Sequence, residues 1–166
     1  MGKYFITGRP GSGKSTIIRE LQRQGFTAYD TDALDGVTKL QDKVTGEIVD
    51  WPDGPVDWGH FAWNWQEEQI QRLLASADTV FLGAIVGNQH SFYPLFDKVF
   101  VVTIDEKTLS RQLEAHEHKR TPEEKERLAA NHMAKQKILI EVGGIPIVNS
   151  GPIDKVADKI LRLINQ

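Results

Sequence analysis

Gly8-Arg9-Pro10-Gly11-Ser12-Gly13-Lys14-Ser15 is the stretch that decides how this chain folds. Its spacing is G-x-x-x-x-G-K-[ST], in which each position has a physical task. The glycines let the backbone curl until its N–H groups converge on phosphate oxygens. Lys14 supplies a mobile cation for the β- and γ-phosphates, and Ser15 supplies a hydroxyl for Mg²⁺. A helix starting here adds the dipole of its N-terminus to the same anion. Gly8, Arg9, Pro10, Gly11, Ser12, Gly13, Lys14, Ser15 and Thr16 are therefore expected to hold ATP. The flanks suit the motif. Lys3-Tyr4-Phe5-Ile6-Thr7 is β-prone, and the run after Ser15 places Ile17, Ile18 and Leu21 on one helical face closed by Gly25.

The remaining sequence extends this βα beginning. Strands are expected at 3–7, 26–29, 79–83, 98–104 and 145–149, and helices at 14–24, 60–77, 106–118, 122–142 and 153–164. Such alternation argues for an α/β fold with a parallel sheet covered on both faces. Residues 99–104, Val-Phe-Val-Val-Thr-Ile, are apolar almost throughout, as a doubly covered strand requires. Ile70, Leu73, Leu74 and Ala77 form one inward helical stripe, and Val156, Ile160, Leu163 and Ile164 form another. Two segments exceed a minimal βα repeat. Residues 33–58 carry turn signals at Gly36, Thr45-Gly46 and Trp51-Pro52-Asp53-Gly54-Pro55, and residues 111–140 are densely charged. Insertions beside strand ends often build substrate sites or lids.

At 166 residues a single domain, 1–166, is expected. The net charge of −3 gives no support for a nucleic-acid or membrane surface. The chain contains no cysteine, which excludes disulfides, cysteine zinc sites and thiol catalysis. No apolar run approaches the ~20 residues that cross a bilayer. A cytoplasmic protein, monomeric or homodimeric, is expected.

The strand at 26–29 runs into Asp30-Thr31-Asp32. In a parallel sheet these carboxylates fall at the C-terminal edge, near the phosphate loop. One can hold Mg²⁺ beside Ser15 and the other can orient or deprotonate a substrate hydroxyl. The same triplet also suits an Asx turn or a cap for Ala33-Leu34.

Gly8 to Leu34 resembles the start of the shikimate kinase, gluconate kinase and adenylate kinase group of P-loop small-molecule kinases. The resemblance implies a three-layer P-loop NTPase fold: a five-stranded parallel sheet of order 2-3-1-4-5, flanked by helices, with a small lid. It implies ATP and Mg²⁺, with Ser15 and Asp30 at the metal and Asp32 on the acceptor hydroxyl. Gly83, Gly87, Asn88 and Gln89 would line the acceptor pocket. Arg111 lies on the helix leading to a lid at about 112–135, where Lys119-Arg120-Thr121-Pro122 would place Arg120 over the phosphates. Asn149, in Val148-Asn149-Ser150-Gly151-Pro152, matches the loop that packs on adenine. Residues 33–65 would form the acceptor-binding insertion.

Departures narrow the acceptor. Shikimate kinases have a glycine triplet after the third strand, where this chain has Gly83-Ala84-Ile85-Val86-Gly87. No arginine follows Asp32 before residue 72, so the grip on a substrate carboxylate or phosphate is missing. The expected reaction is ATP-dependent phosphoryl transfer to a small nucleoside, nucleotide or sugar-like acceptor, an uncharged one fitting best. Trp51, Trp58, Trp63 and Trp65 crowd the same segment, most of them expected to pack it onto the sheet and one or two to face substrate. His60, His90, His116, His118 and His132 show no metal-ligand spacing. The competing readings are a P-loop ATPase, with Asp105-Glu106 as its acid pair, and a nucleotide-binding module without turnover. In the kinase layout Asp105-Glu106 is the acidic first turn of a helix.

Overall fold

The computed structural model describes residues 1–115 and 121–166. Five parallel strands form the central sheet: β1 (Gly2–Thr7), β2 (Thr27–Asp30), β5 (Thr79–Gly83), β6 (Lys98–Thr103) and β7 (Ile145–Val148). Their spatial order is β2-β5-β1-β6-β7, which is 2-3-1-4-5 when only these five are counted. The expected α/β architecture is therefore the observed one. Strand β1 is central, with Phe5 opposite Leu82 on one side and Val99 on the other.

Side chains alternate across β1 and divide the core into two layers. Tyr4 and Ile6 face α1 (Lys14–Arg23) and α5 (Ile153–Ile164), where Ile17, Ile18, Leu21, Val156 and Ile160 are buried. Phe5 faces the other way, toward α2 (Glu67–Leu74), Ile70, Leu74, Phe92 and Phe96. On the far side α3 (Glu106–Ala115) leads toward α4 (Pro122–Glu141). Asp105 caps α3, its carboxylate accepting from the Thr108 N–H at 2.6 Å. Thr121 and Pro122 begin α4, where a helix from residue 122 is expected, through a capping box with Glu124. Gln136 then ties α4 to the sheet, its amide accepting from Ile104 N and donating to Ile104 O.

Two segments differ from the sequence reading. Residues 60–77 do not form one helix. Phe61–Trp65 is a strand, β4, and the helix begins only at Glu67. Strand β4 pairs antiparallel with β3 (Thr38–Asp42), which lies within the stretch read as turns. Phe61, Trp63 and Trp65 recur at a period of two and oppose Asp42, Leu40 and Thr38. That alternation suits an antiparallel ribbon, and bulky aromatics lose less rotamer freedom there than in a helix. The ribbon docks at its base. Trp65 is 2% exposed and packs on Phe5 and Phe92, while the Asn88 amide accepts from Trp65 N and donates to Trp65 O.

Among the described residues no helix is long and apolar enough to cross a membrane.

Candidate active site

The loop of residues 8–13 leaves buried Thr7 at the end of β1 and delivers the chain into α1. Gly11 and Gly13 have φ of +81° and +98°, the left-handed region that a side chain disfavours. At Gly13 a side chain would also collide with the Asn149 amide. Asn149 follows β7 and acts as a strut: Nδ2 donates to Ser12 O at 2.7 Å, and its backbone N–H donates to Thr103 O at 2.9 Å. Gln112 of α3 donates to Gly11 O at 3.2 Å from the other flank. The loop is thus held from two sides by elements far away in sequence.

Lys14 lies under the loop, Nζ donating to Gly8 O at 2.7 Å and Arg9 O at 3.3 Å. Burial pushes its pKa down to about 8, with the charges of Asp32 and Asp30 opposing the shift and that of Arg9 adding to it. A cation largely withdrawn from water, on a loop whose glycines let backbone N–H groups turn inward, is suited to a polyphosphate. Ser15 Oγ donates to Asp30 Oδ2 at 2.5 Å. These two hard oxygen donors at the start of α1 fit Mg²⁺, which takes few protein ligands alongside substrate phosphates. Among the described residues no group of three or more His, Asp and Glu is arranged to hold a metal ion.

Asp30 closes β2 and Asp32 lies one residue beyond, in the single 3₁₀ turn Thr31–Ala33. Between them Thr31 is buried, donating to Gly83 O and accepting from Trp65 Nε1 at 2.8 Å. It anchors the turn, so the flanking carboxylates point to the open side. Asp32 Oδ1 accepts from Trp63 Nε1 at 3.0 Å. Burial raises the Asp32 pKa above the ordinary value, and the Asp30 charge adds to that. The Trp63 bond and the Lys14 charge pull the other way. Asp32 as a residue remains open to solvent, so the rise comes from its carboxyl group being drawn partly out of water and lying beside a second carboxylate.

Strand β4 therefore brings Trp63 to Asp32, and Trp51 and Trp58 extend the aromatic surface outward. The Trp51 ring meets Trp63 edge-on at 5.4 Å and Trp58 at 6.0 Å. Trp51 and Trp58 are 57% and 53% exposed, so only Trp65 of the four is core. The expected packing holds for Trp65 and for Trp63, which lies half-buried against the same core cluster, but not for Trp51 and Trp58, because residues 48–49 return along β3 (Val49 N–H to Leu40 O at 3.0 Å) rather than onto the central sheet. Residues expected to line an acceptor pocket divide similarly. Gly87 donates its N–H to Trp63 O at 2.8 Å, and Asn88 clips Trp65. Gly83 is buried against Ile18, and a side chain there would lie 2.7 Å from Ile18 Cγ1. Gln89 is 1% exposed and binds Thr7 Oγ1, Val86 N and Tyr93 Oη beneath the site.

The remaining sequence-nominated residues are spread more widely. Pro10 and Thr16 are exposed at the loop and the first turn of α1. Arg111 is exposed on α3, and the contact to the loop is made by its neighbour Gln112. Lys119 and Arg120 lie outside the described residues. Sequence reasoning passed over Gln112 and His132, both of which line a cleft beside Arg9 and Gly11. Their only sequence signal is a polar residue on the inward stripe of a helix.

A family description, "AAA domain", matches residues 5–134. No curated protein matches the sequence. Among solved structures the chain is similar to shikimate kinase from Bacteroides thetaiotaomicron, at 12% identity and TM-score 0.56, over 99% of this chain and 98% of that one. It is similar to a gluconokinase from Sinorhizobium meliloti, at 16% identity and TM-score 0.53, over 99% and 94%. It is also similar to TT1252 from Thermus thermophilus, at 16% identity and TM-score 0.55, over 98% and 95%. At these identities the likeness is one of fold.

Proposed function

The chain belongs to the AAA domain family, and from that premise we propose that it is an ATP-dependent kinase of a small hydroxyl-bearing molecule. The observation that carries this reading is the Asp32 carboxylate. It sits at the end of β2 beside the Ser15–Asp30 pair, covered by Trp63 from a separate ribbon, with its pKa raised. A carboxylate can activate water in hydrolysis as well; a transferase uses both the carboxylate, to deprotonate an acceptor hydroxyl, and the aromatic surface beside it, to position that acceptor.

In this reading the loop N–H groups and Lys14 hold the triphosphate, and Ser15 and Asp30 would hold Mg²⁺. When bound, that ion neutralises charge on the β- and γ-oxygens. Asp32 takes the proton of the acceptor hydroxyl as its oxygen forms a bond to the γ-phosphorus. The bond from that phosphorus to the β–γ bridging oxygen breaks, and ADP leaves. Trp63 holds the Asp32 anion in place, and Trp51 and Trp58 offer faces on which a planar acceptor such as a nucleoside base can stack. Residues 1–166 act as one domain, with 33–65 as the acceptor segment and Arg120 of the lid over the phosphates.

The reading is tested by ATP consumption with and without a panel of nucleosides, nucleotides and sugars. Acceptor-dependent ADP release with a phosphorylated product supports it. Equal turnover without acceptor makes the protein an ATPase, and binding without turnover makes it a nucleotide-binding module. Trp63→Phe supplies a finer test. Losing the indole N–H removes a bond that favours the Asp32 anion, so the acidic limb of the pH–rate profile should move to higher pH. Turnover at mildly acidic pH should fall roughly 3–10-fold, as for one lost hydrogen bond to a charged group. An unmoved limb would separate Trp63 from the titration of Asp32.

A further inference from the structure

Beside the phosphate loop, on the α3–α4 side, lies a cleft of about 450 Å³. Arg9, Gln112, Asn131 and His132 supply its polar wall, and Leu109 and Leu128 part of its apolar one. His132 is only 9% exposed, and its Nε2 has no hydrogen-bond partner among the described residues. Arg9 Nε is likewise buried and unpartnered among them. A buried guanidinium N–H and a buried imidazole nitrogen without partners are costly unless a partner comes from elsewhere. Among the described residues no carboxylate lines the cleft. The charges acting on His132 are those of Arg9 and Lys14, and together with burial they hold it below its ordinary pKa and neutral near pH 7. Neutral imidazole still offers one N–H donor.

We propose that Arg9 and His132 form a second anion subsite, continuous with the phosphate loop, that holds the terminal phosphoryl group of the bound triphosphate. The proposal rests on the reading that the loop binds ATP. Its location follows from the loop. Lys14 Nζ contacts the carbonyls of both Gly8 and Arg9, and Arg9 lines the cleft together with Pro10 and Gly11 of the same loop. Lys14 is the cation expected at the β- and γ-phosphates. Asp30 and Asp32 act electrostatically on Lys14, but neither is among the charges acting on His132. Asp30 lines a separate cleft with Ser15, Arg19 and Tyr29, so the acceptor side and the Arg9–His132 cleft are distinct. The leucines lower the local dielectric and strengthen a guanidinium–phosphoryl contact, and a guanidinium can engage two oxygens at once. An anionic group on the acceptor offers similar oxygens, and the affinities of ATP and ADP separate the two sources.

Titration calorimetry with Mg²⁺-ATP and Mg²⁺-ADP should be run on the intact chain, wild type against Arg9→Ala, Arg9→Lys, His132→Ala and His132→Gln. Loss of one charge-assisted contact predicts a roughly 10–100-fold weaker Kd for ATP in Arg9→Ala, with ADP changed less than about twofold. His132→Ala should show the same selectivity with a smaller loss, and His132→Gln and Arg9→Lys should recover part of it. The ATP/ADP ratio is compared within each variant, so a partly destabilised fold does not imitate the result. Equal weakening of both nucleotides would overturn the proposal and leave the pair as props of the loop. Unchanged ATP affinity with a raised KM for the acceptor would overturn it in favour of an acceptor anion. If wild type binds neither nucleotide, the functional reading itself falls. If wild type binds both and the variants do not discriminate, only this subsite does.

Discussion

Lys14→Met is expected to abolish acceptor phosphorylation and at the same time to make the protein more stable. The two effects share one cause. The lysine ammonium is largely buried, and its pKa is pushed down to about 8 from an ordinary 10.5. A depression of that size corresponds to about 3 kcal/mol spent against folding at neutral pH. Methionine keeps the buried stem and removes the charge, but loses the hydrogen bonds to Gly8 O and Arg9 O. The net gain should be about 1–3 kcal/mol, read by denaturant unfolding at pH 7. The pH dependence identifies the origin of the gain. Between about pH 8 and 10.5 the unfolded chain still binds a proton that the folded chain has released. Wild-type stability should therefore gain a rising contribution across that window, and Lys14→Met should lack it. Tyr4 and Tyr93, whose pKa values burial raises, act in the opposite direction near the top of the window in both proteins. The difference between the two curves therefore isolates Lys14. Turnover near wild type in Lys14→Met would remove the lysine from the phosphate site. Equal stability at pH 7 would contradict its burial as a charge.

Asp32→Asn should lower phosphoryl transfer by a factor of roughly 10²–10⁴, the usual cost of losing a general base, with ATP affinity changed by no more than about threefold. Asparagine keeps the shape and the acceptor oxygen for Trp63 Nε1, so the ribbon should stay in place. The wild-type pH–rate profile should carry an acidic limb above the usual aspartate range, because burial and the Asp30 charge raise the Asp32 pKa. That limb should vanish from the residual activity of the variant. A parallel loss of ATP affinity would assign Asp32 to the metal. Wild-type transfer rates would remove it from the chemistry altogether.

The phosphate loop was legible because local geometry dictates its residues. Gly11 and Gly13 occupy backbone conformations that side chains resist, and Lys14 and Ser15 follow at fixed spacing. The three inner strands, β1, β5 and β6, were legible because burial on both faces demands continuous apolar runs. The β3–β4 ribbon was not. Phe-Ala-Trp-Asn-Trp at 61–65 runs directly into the true helix stripe of Ile70 and Leu74, and the two periods overlap at the junction. Pairing with residues 38–42, 19 to 27 positions away, decides the matter, and such pairing leaves no local trace.

The sequence by itself determined that a phosphate cradle sits at the edge of a doubly covered parallel sheet, with Asp30 and Asp32 at the next strand's end. Those features rest on short-range spacing and on the hydrophobic pattern. Only the tertiary structure decided what surrounds the cradle. It set Trp63 on Asp32, Asn149 on Ser12, Gln112 on Gly11, and His132 beside Arg9. Each of these joins residues at least 31 positions apart, brought together by strand order and helix packing rather than by any spacing along the chain.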